Sequence, residues 1–368
     1  MQGVEADLRT DSKQRVLVVG CGGLGGIVAS SLLEHGGDAV DVTGLTRNRA
    51  VAQAVNERGF VVRGVDGART VKGRVLNELE PGTPCFDWVI LSTQPTQVEE
   101  AARVAAPYLA ERGAMVCLQN GLCEERVAQI VGPERVFGAV VAWGGSMVEP
   151  GVYDRTAAGG FTVGRIDGKT DDRLMKLGLL FEPIGPVSIT TNLAGARWSK
   201  LAINCTISTL GTLGGKTLGS LMLHRFVRRL GLEIVTEAAL VARAEKVRLE
   251  KVSGTLDIDW LALTEAERQI AGSPGLVAKH GMLLAVGARY RRLRSSMLAA
   301  IERGQPPAVD FLNGEVTLRG RKHGIATPFN HEACNMVHAI AAGKMKSGLS
   351  TLEELASRVP RADVELRG

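Results

Sequence analysis

Hydrophobic residues follow two different patterns along the chain, with a change near residue 190. In the first part, short runs rich in β-branched residues alternate with segments of helical periodicity, which predicts strands and helices in turn. The predicted strands are RVLVVG, AVDVTGL, TVKGRV, DWVILS, AMVCLQ, RVFGAVVA, GVYD and GGFTVGRI. Strands that alternate with helices and then follow one another indicate a mainly parallel α/β sheet with a mixed late edge. We expect this first domain to span residues 15–191.

Beyond Asn192 the pattern is helical and the segments are long. They lie at roughly 192–210, 219–250, 264–271, 276–300, 307–323 and 328–345. Apolar residues there recur with the period of amphipathic helices, which predicts an all-helical second domain over 192–348. Residues 1–14 are polar and are expected to form a mobile arm. Residues 349–368 are expected to hold a short helix and then a fraying tail.

Local signals predict where several helices begin. Asn48 is placed to cap the helix that follows the second strand. Two Thr-x-x-Glu sequences, Thr96 to Glu99 and Thr264 to Glu267, have the spacing of a capping box. We therefore expect helices to start next to these residues.

Composition restricts the possible functions. The 368 residues are 23% charged and carry a net charge of +5, from 44 basic and 39 acidic residues. This small excess does not indicate a nucleic-acid partner, and no apolar run has the length of a membrane span. The N-terminus lacks the pattern of a secretory signal. Six cysteines without a C-x-x-C pair predict reduced thiols, a cytoplasmic location and no metal site.

The first strand runs directly into a glycine loop. GCGGLG contains Gly20, Gly22 and Gly25 in the G-x-G-x-x-G spacing, immediately before a helix. In this pattern the first glycine permits a tight turn, the second lets the backbone approach a pyrophosphate, and the third allows close helix packing. The loop therefore predicts a Rossmann-type domain that binds a dinucleotide through these glycines together with Gly23 and Leu24. The alternative is a glycine turn with a structural role alone.

The end of the second strand favours NADP(H). A carboxylate there would bind the ribose hydroxyls of NAD, but TGLTRNR supplies Arg47 and Arg49 instead. A basic side chain suits the 2′-phosphate of NADP. Asp41 lies earlier, inside the strand, and is a poorer partner for the ribose. In the alternative interpretation, Arg47 is an ordinary loop arginine.

The segment ARWSKLAINCTISTLGTL, at 196–213, carries a narrow polar row in apolar surroundings. At 3.6 residues per turn, Arg197, Lys200, Asn204 and Ser208 fall within an arc of about 80°. A hydride delivered to a ketone leaves negative charge on oxygen, and a partly desolvated lysine can donate the neutralising proton. An asparagine one turn away can hydrogen-bond the substrate. The alternative is a lysine that reaches solvent.

These motifs together resemble the ketopantoate reductase family, 2-dehydropantoate 2-reductases, over about residues 15–345. The resemblance rests on GCGGLG, the arginine of GLTR, LQNG, SKLAINC, SSML and VDFLNG followed by HGIATP. It implies a Rossmann domain joined to a helical domain. It also implies NADPH-dependent reduction of a small 2-oxo acid.

The resemblance also implies roles for individual residues. Lys200 would be the general acid and Asn204 a substrate contact. Asn120 would lie near the nicotinamide, although an Asn-Gly pair is also a plain turn signal. Ser296 would help to hold the substrate carboxylate, and Ser208 stands where the family has a second asparagine.

Some positions depart from the family. Ala308 occupies the position of a glutamate expected to engage the lysine and substrate hydroxyls, whereas Asp310, a predicted substrate contact, is retained. Gln94, a predicted cofactor contact, stands where a lysine is common. The region 250–280 is longer than usual. With the loop and Lys200 kept, these changes favour altered substrate specificity.

Three functions remain open at this point. The first is an NADPH-dependent reductase of a ketopantoate-like 2-oxo acid. The second is a nucleotide-binding pseudoenzyme that senses NADPH, favoured by Ala308 and Gln94 and opposed by Lys200 and Asn204. The third is a dehydrogenase of the same superfamily that acts on a different hydroxy acid. A homodimer is compatible with all three.

Overall fold

The computed structural model describes residues 13–359, apart from 66, 252–255, 270 and 271. The chain packs as two units, divided at Leu193, except that Asn120–Leu122 group with the second unit. Most of the predicted N-terminal arm lies outside the described residues. Gln14, its last residue, already begins the first strand and accepts a hydrogen bond from the Trp88 indole at 3.1 Å.

The first unit is built on an eight-stranded and a four-stranded sheet. Its strands are β1 (Gln14–Val19), β2 (Val40–Leu45), β3 (Phe60–Gly64), β4 (Arg69–Val71), β5 (Arg74–Leu76), β6 (Phe86–Leu91), β7 (Leu109–Cys117), β8 (Val136–Val141), β9 (Gly144–Glu149), β10 (Val152–Ala157), β11 (Phe161–Arg165) and β12 (Val187–Thr190). The larger sheet has the order β12-β11-β8-β7-β6-β1-β2-β5, and only β8 and β11 pair antiparallel. The predicted mainly parallel sheet with a mixed edge is confirmed.

The smaller sheet has the order β4-β3-β10-β9, and the sequence analysis did not predict it. The run TVKGRV, predicted as one strand, is divided between the two sheets as β4 and β5. Gly73 lies between them, where a Cβ would come within 2.5 Å of Leu33 Cδ1 and 2.8 Å of the Phe60 ring. This crowding explains why the chain passes from one sheet to the other at a glycine.

Within the described residues, the first unit has five α-helices, of which the first, second and fifth contribute buried residues to one apolar core with the sheets. They are α1 (Gly23–His35), α2 (Arg49–Arg58), α3 (Val98–Ala105), α4 (Cys123–Val131) and α5 (Asp172–Phe181). The predicted cap of α2 is confirmed, because Asn48 Oδ1 accepts from the N–H groups of Ala50 and Val51 at 3.1 and 3.4 Å. The capping box predicted at Thr96 is wrong. A 3₁₀ turn, Pro95–Gln97, precedes α3, and none of the side chains that the structure describes caps that helix.

The second unit is helical and has an apolar core of its own. Its helices are α6 (Leu193–Gly214), α7 (Leu218–Met222), α8 (Arg225–Ala244), α9 (Ile258–Leu261), α10 (Glu265–Gln269), α11 (Pro274–Arg289), α12 (Ser296–Glu302), α13 (Asn313–Lys322), α14 (Pro328–Ala341) and α15 (Leu349–Arg358). The capping box at Thr264 is confirmed, since Thr264 and Glu267 exchange hydrogen bonds between backbone and side chain at 2.9 and 3.3 Å. The short helix predicted in the tail is α15.

Three predicted long helices are each broken in the structure. The segment 307–323 divides at Leu312 into a 3₁₀ turn, Ala308–Phe311, and α13. The segment 219–250 divides into α7 and α8 because the Arg228 guanidinium bonds the carbonyls of Met222 and Leu223, the latter at 2.9 Å, and so caps the end of α7. The segment 276–300 divides into α11 and α12, where Ser295 caps α12 through the Leu298 N–H.

Among the described residues, no helix is both long enough and apolar enough to span a bilayer. The cytoplasmic location and the homodimer stay predictions.

Candidate active site

The glycine loop requires glycine at two positions for steric reasons. Gly20 has a φ of +96°, and its N–H donates to the Leu45 carbonyl at 2.8 Å. The Ser92 hydroxyl donates to the Gly20 carbonyl at 2.7 Å. A Cβ on Gly25 would lie 1.9 Å from that carbonyl oxygen. The loop is therefore fixed between β1, β2 and β6, and α1 packs directly against it.

The N-terminus of α1 fits a phosphate group. Gly22 is the N-cap residue, no side chain within the described ranges caps the helix, and the first turn contains no acidic residue. A Cβ on Gly22 would meet no atom of the described residues within 4 Å, so this glycine borders open space in the part of the chain that the structure describes. The amide groups and the positive end of the helix dipole are thus available to an anion. Gly23 packs against the Gly145 carbonyl, and Leu24 is half-buried.

The structure adds a support to this loop that the sequence analysis missed. The Tyr153 ring, on β10, occupies the space over Gly26, where a Cβ would lie 2.1 Å from a ring carbon. The Tyr153 hydroxyl donates to the Cys21 carbonyl at 3.2 Å. The smaller sheet therefore holds both the loop and the first turns of α1. The sequence signal for this support was Gly26, which directly follows the G-x-G-x-x-G pattern.

The residues predicted to select the dinucleotide lie at the ends of β2 and β6. Arg47 is exposed and binds both carboxylate oxygens of Glu100, at 2.9 and 3.0 Å. Arg49 is the first residue of α2 and is exposed. Asp41 is exposed near the start of β2, away from the strand end. Gln94 is exposed at the start of the 3₁₀ turn that precedes α3.

In the second unit, α6 carries the predicted polar row. Lys200 is half-buried and Arg197, one turn earlier, is buried. Burial, and secondly the positive charge of Arg197, lower the pKa of Lys200 from its ordinary value of 10.5 to about 8. A lysine with this pKa is mostly protonated at neutral pH and gives up its proton far more readily than a solvated one.

Asn204 and Ser208 continue the row toward the C-terminus of α6. The Asn204 amide nitrogen is buried and has no hydrogen-bond partner among the described residues. Leaving such a donor without an acceptor costs about 1–3 kcal/mol, which a ligand oxygen would recover. Ser208 is half-buried, and its carbonyl accepts from the Ser295 hydroxyl at 2.8 Å and the Thr212 hydroxyl at 2.8 Å.

The serine pair of SSML has two different environments. Ser295 is buried, caps α12 and donates a hydrogen bond to the Ser208 carbonyl on α6, with its hydroxyl oxygen 2.9 Å from that of Thr212. Ser296, the predicted carboxylate contact, is the exposed first residue of α12. Ser295 therefore fixes α12 against α6, and Ser296 presents its side chain to solvent. The sequence analysis missed the positioning role of Ser295.

A buried polar network lies behind the α6 row. Asn313, on α13, accepts from the Thr209 hydroxyl at 2.6 Å and donates to the Asn330 amide oxygen at 2.9 Å. Asn330 donates in turn to the Glu237 carboxylate at 2.7 Å. Burial raises the pKa of Glu237 to about 7. This network ties α6 to α8, α13 and α14, and nothing in the local sequence pattern indicated it.

The segment that carries Ala308, where the resemblance led us to expect a glutamate, forms a 3₁₀ turn, Ala308–Phe311. Ala308 is half-buried, whereas Asp310 is exposed and its carboxylate accepts from His338 Nε2 at 2.8 Å. Glu315 is buried and accepts from Arg319 Nε at 2.8 Å. The substrate contact predicted for Asp310 stays a prediction.

The QNG segment follows β7, and Asn120 is exposed. Gly121 has a φ of +95°, and a Cβ there would lie 2.7 Å from the Phe311 carbonyl oxygen. Glycine is therefore required by both conformation and close approach. The position of Asn120 near a nicotinamide stays a prediction.

A loop shaped for a dinucleotide and a helix that carries a lysine of lowered pKa define a class of protein, the dinucleotide-dependent oxidoreductases. Residues 16–168 match the family model described as ketopantoate reductase PanE/ApbA, and residues 192–341 match the model of its C-terminal domain. The chain therefore belongs to the ketopantoate reductase family, and it is an oxidoreductase.

Individual relatives are distant but cover nearly the whole chain. The 2-dehydropantoate 2-reductase of Pyrococcus horikoshii is 22% identical over 318 residues, which are 86% of this chain and 94% of the relative. The corresponding enzyme of Aquifex aeolicus is 24% identical over 329 residues, 88% of this chain and 96% of the relative. The chain is thus a divergent member of the family.

Solved structures share the fold. A ketopantoate reductase from Ralstonia eutropha JMP134 has a TM-score of 0.73 at 22% identity, covering 90% of this chain and 99% of that one. A D-mandelate dehydrogenase solved with NADH and anilino(oxo)acetate has a TM-score of 0.75 at 19% identity, with the same coverage. The likeness extends over both units of the chain.

Proposed function

We propose that this protein reduces a 2-oxo acid to the 2-hydroxy acid with NADPH, and that Lys200 is the general acid. The observation that carries the proposal is on α6. The Lys200 ammonium group, whose pKa is lowered to about 8, lies one turn from the Asn204 amide nitrogen, which has no hydrogen-bond partner in the described part of the chain. This pair offers a proton and a hydrogen bond to one ligand oxygen.

The reduction needs one hydride and one proton. NADPH supplies the hydride when it is bound. Lys200 Nζ donates a proton to the substrate carbonyl oxygen, so that the C=O becomes H–C–O–H and the lysine is left neutral until water reprotonates it. The Asn204 amide donates a hydrogen bond that stabilises the developing negative charge. Ser208 and Ser296 supply hydroxyl groups for the substrate carboxylate.

The residues of the glycine loop would hold the pyrophosphate, and basic residues at the end of β2 would hold the 2′-phosphate. Arg47 is bound to Glu100, but both side chains are more than 60% exposed, and such surface pairs contribute at most about 1 kcal/mol. A phosphate dianion can therefore replace Glu100 as the partner of Arg47. Gln94 and Asn120 are proposed as further contacts of the cofactor.

The residue at position 308 bears on which 2-oxo acid the protein would accept. Ala308 provides a methyl group where the family has a carboxylate, so a substrate hydroxyl would lose its partner there. We propose a 2-oxo acid with an apolar substituent. The similar fold of a dehydrogenase that binds anilino(oxo)acetate, which carries an aromatic group, supports testing such compounds.

The test is NADPH oxidation with ketopantoate, 2-oxoisovalerate and benzoylformate, comparing the wild type with Lys200→Ala. Loss of a general acid should lower kcat by about 10²- to 10⁴-fold. NADPH binding, followed by fluorescence titration, should change little. Lys216→Ala is the matched control, because this lysine is exposed just beyond α6 and should leave kcat unchanged.

Two outcomes would contradict the proposal. Full activity of Lys200→Ala would remove the lysine from the mechanism. Tight NADPH binding by the wild type without turnover of any 2-oxo acid would favour the sensor instead. A higher kcat/KM for ketopantoate than for the two apolar substrates would contradict the substrate preference alone.

A further inference from the structure

Three metal-ligating side chains meet on the surface of the second unit. Cys334 and His338 lie four residues apart on α14, so both point to one side of the helix. Asp310, from the Ala308–Phe311 turn, lies across from them. Its Oδ1 is 2.8 Å from His338 Nε2 and 3.5 Å from Cys334 Sγ, and the three ligand atoms lie within 4.8 Å of one another.

The two distances to the Asp310 carboxylate can be compared with those between ligand atoms around a tetrahedral zinc ion. With Zn–S near 2.3 Å and Zn–N or Zn–O near 2.0–2.1 Å, ligand atoms stand about 3.3–3.5 Å apart. The Cys334–Asp310 pair already has this spacing. The His338–Asp310 pair must open by about half an ångström, and both of these side chains are roughly half exposed and can rotate.

We propose that Asp310, Cys334 and His338 bind a divalent transition-metal ion of the zinc type, with a fourth position open to water. A thiolate, an imidazole and a carboxylate together suit zinc or cobalt and not magnesium or calcium. The sequence-based prediction of no metal site rested on the absence of C-x-x-C pairs, whereas this proposal rests on a Cys-x-x-x-His spacing on one helix and an aspartate from another element.

The same geometry argues against two simpler interpretations. An Asp–His ion pair on the surface does not require a cysteine beside it, yet Cys334 directs its sulfur at the same carboxylate oxygen. A reactive surface cysteine is also a poor description, because Cys334 is buried and its sulfur lies 3.5 Å from the Asp310 carboxylate.

The bound ion would link the Ala308–Phe311 turn to α14. That turn directly precedes Asn313 and the buried network behind α6. The ion would therefore act as a structural clamp on the segment that carries Ala308. This inference does not depend on the proposed reaction.

The experiment is a cobalt(II) titration of the full-length protein, reduced with a phosphine and freed of metal by a chelator. We expect one ion per chain, a dissociation constant in the micromolar range or below, tetrahedral d–d bands and a thiolate-to-cobalt charge-transfer band, all displaced by zinc. Cys334→Ser should abolish the charge-transfer band. His338→Ala should weaken binding by at least about tenfold, since even the loss of an outer-shell partner costs about 10- to 100-fold.

Matched controls are present in the chain. Cys85→Ser removes an exposed thiol elsewhere, and His331→Ala removes an exposed imidazole from the same helix, so both should bind cobalt as the wild type does. If Cys334→Ser misfolds, as judged by circular dichroism, His338→Ala carries the test because its side chain is at the surface. The proposal is overturned if the wild type shows no charge-transfer band, or if His338→Ala and His331→Ala bind cobalt equally.

Discussion

The pH dependence of reduction tests the surroundings of Lys200 directly. Burial and Arg197 together lower the pKa of Lys200 from 10.5 to about 8. Because a general acid must carry its proton, kcat/KM should be constant below that pKa and fall about tenfold per pH unit above it. An unperturbed lysine would move this decline to more alkaline pH, near 10.5.

Replacing Arg197 separates the two causes. Burial is the larger cause and the positive charge of Arg197 the smaller, so removing the charge should raise the pKa of Lys200 only part of the way from about 8 toward 10.5. Arg197→Met keeps an apolar stem of similar length and removes the charge. It should therefore shift the alkaline decline upward, to a midpoint that stays below 10.5. Arg197→Lys keeps the charge and should shift it little.

The assay is kcat/KM for the best 2-oxo acid, measured from pH 6 to 10.5 with saturating NADPH, with thermal melts to show that each variant is folded. A wild-type midpoint near 10.5 would refute the proposed environment of Lys200. A decline that Arg197→Met and Arg197→Lys shift equally would refute the contribution of charge.

Three further predictions concern the cofactor loop and the buried network. Gly22→Ala should leave the Tm unchanged, because the added Cβ meets no atom of the described residues within 4 Å. The same methyl group should raise the Kd for NADPH about tenfold or more, because it enters the space proposed for the pyrophosphate, and an unchanged Kd would contradict pyrophosphate binding at Gly22. Glu100→Gln should release Arg47, lower the Kd for NADPH up to about fivefold and leave the Kd for NADH unchanged. An equal change in both Kd values would argue against Arg47 as the ligand of the 2′-phosphate. Asn313→Ala should lower the free energy of unfolding in urea by about 3 kcal/mol, because Thr209 and Asn330 lose buried partners, and a loss below about 1 kcal/mol would contradict the network.

The sequence predicted those elements whose formation depends on residues close together in the chain. The run RVLVVG became β1 and the Asn48 cap began α2, because each depends on residues near it in the chain. The break between α7 and α8 has no such signal. It depends on the Arg228 side chain reaching back to carbonyls that an uninterrupted helix would have used. The strand β12, only four residues long, exists because β11 is there to pair with it.

The residues of the candidate site likewise fall into those that a local pattern predicts and those that depend on partners far away in the chain. The glycine spacing and the α6 row could be read from the sequence because each lies within one element. Ser295, Tyr153 and the Asn313 network could not, since their partners are 83, 132 and 104 residues away along the chain. The pKa of Lys200 was expected to fall, but its value depends on how closely neighbouring elements pack around it.

The Tyr153 ring over Gly26 has an evolutionary consequence. Any side chain at position 26 would collide with the aromatic ring, and loss of the ring would leave a void over α1 and a carbonyl without its donor. A substitution at Gly26 or Tyr153 alone should destabilise the nucleotide loop, so we expect homologous chains to differ at both positions together or at neither. A lineage that has substituted a larger residue at 26 should therefore also have replaced the tyrosine, and its nucleotide loop must be supported by some other contact.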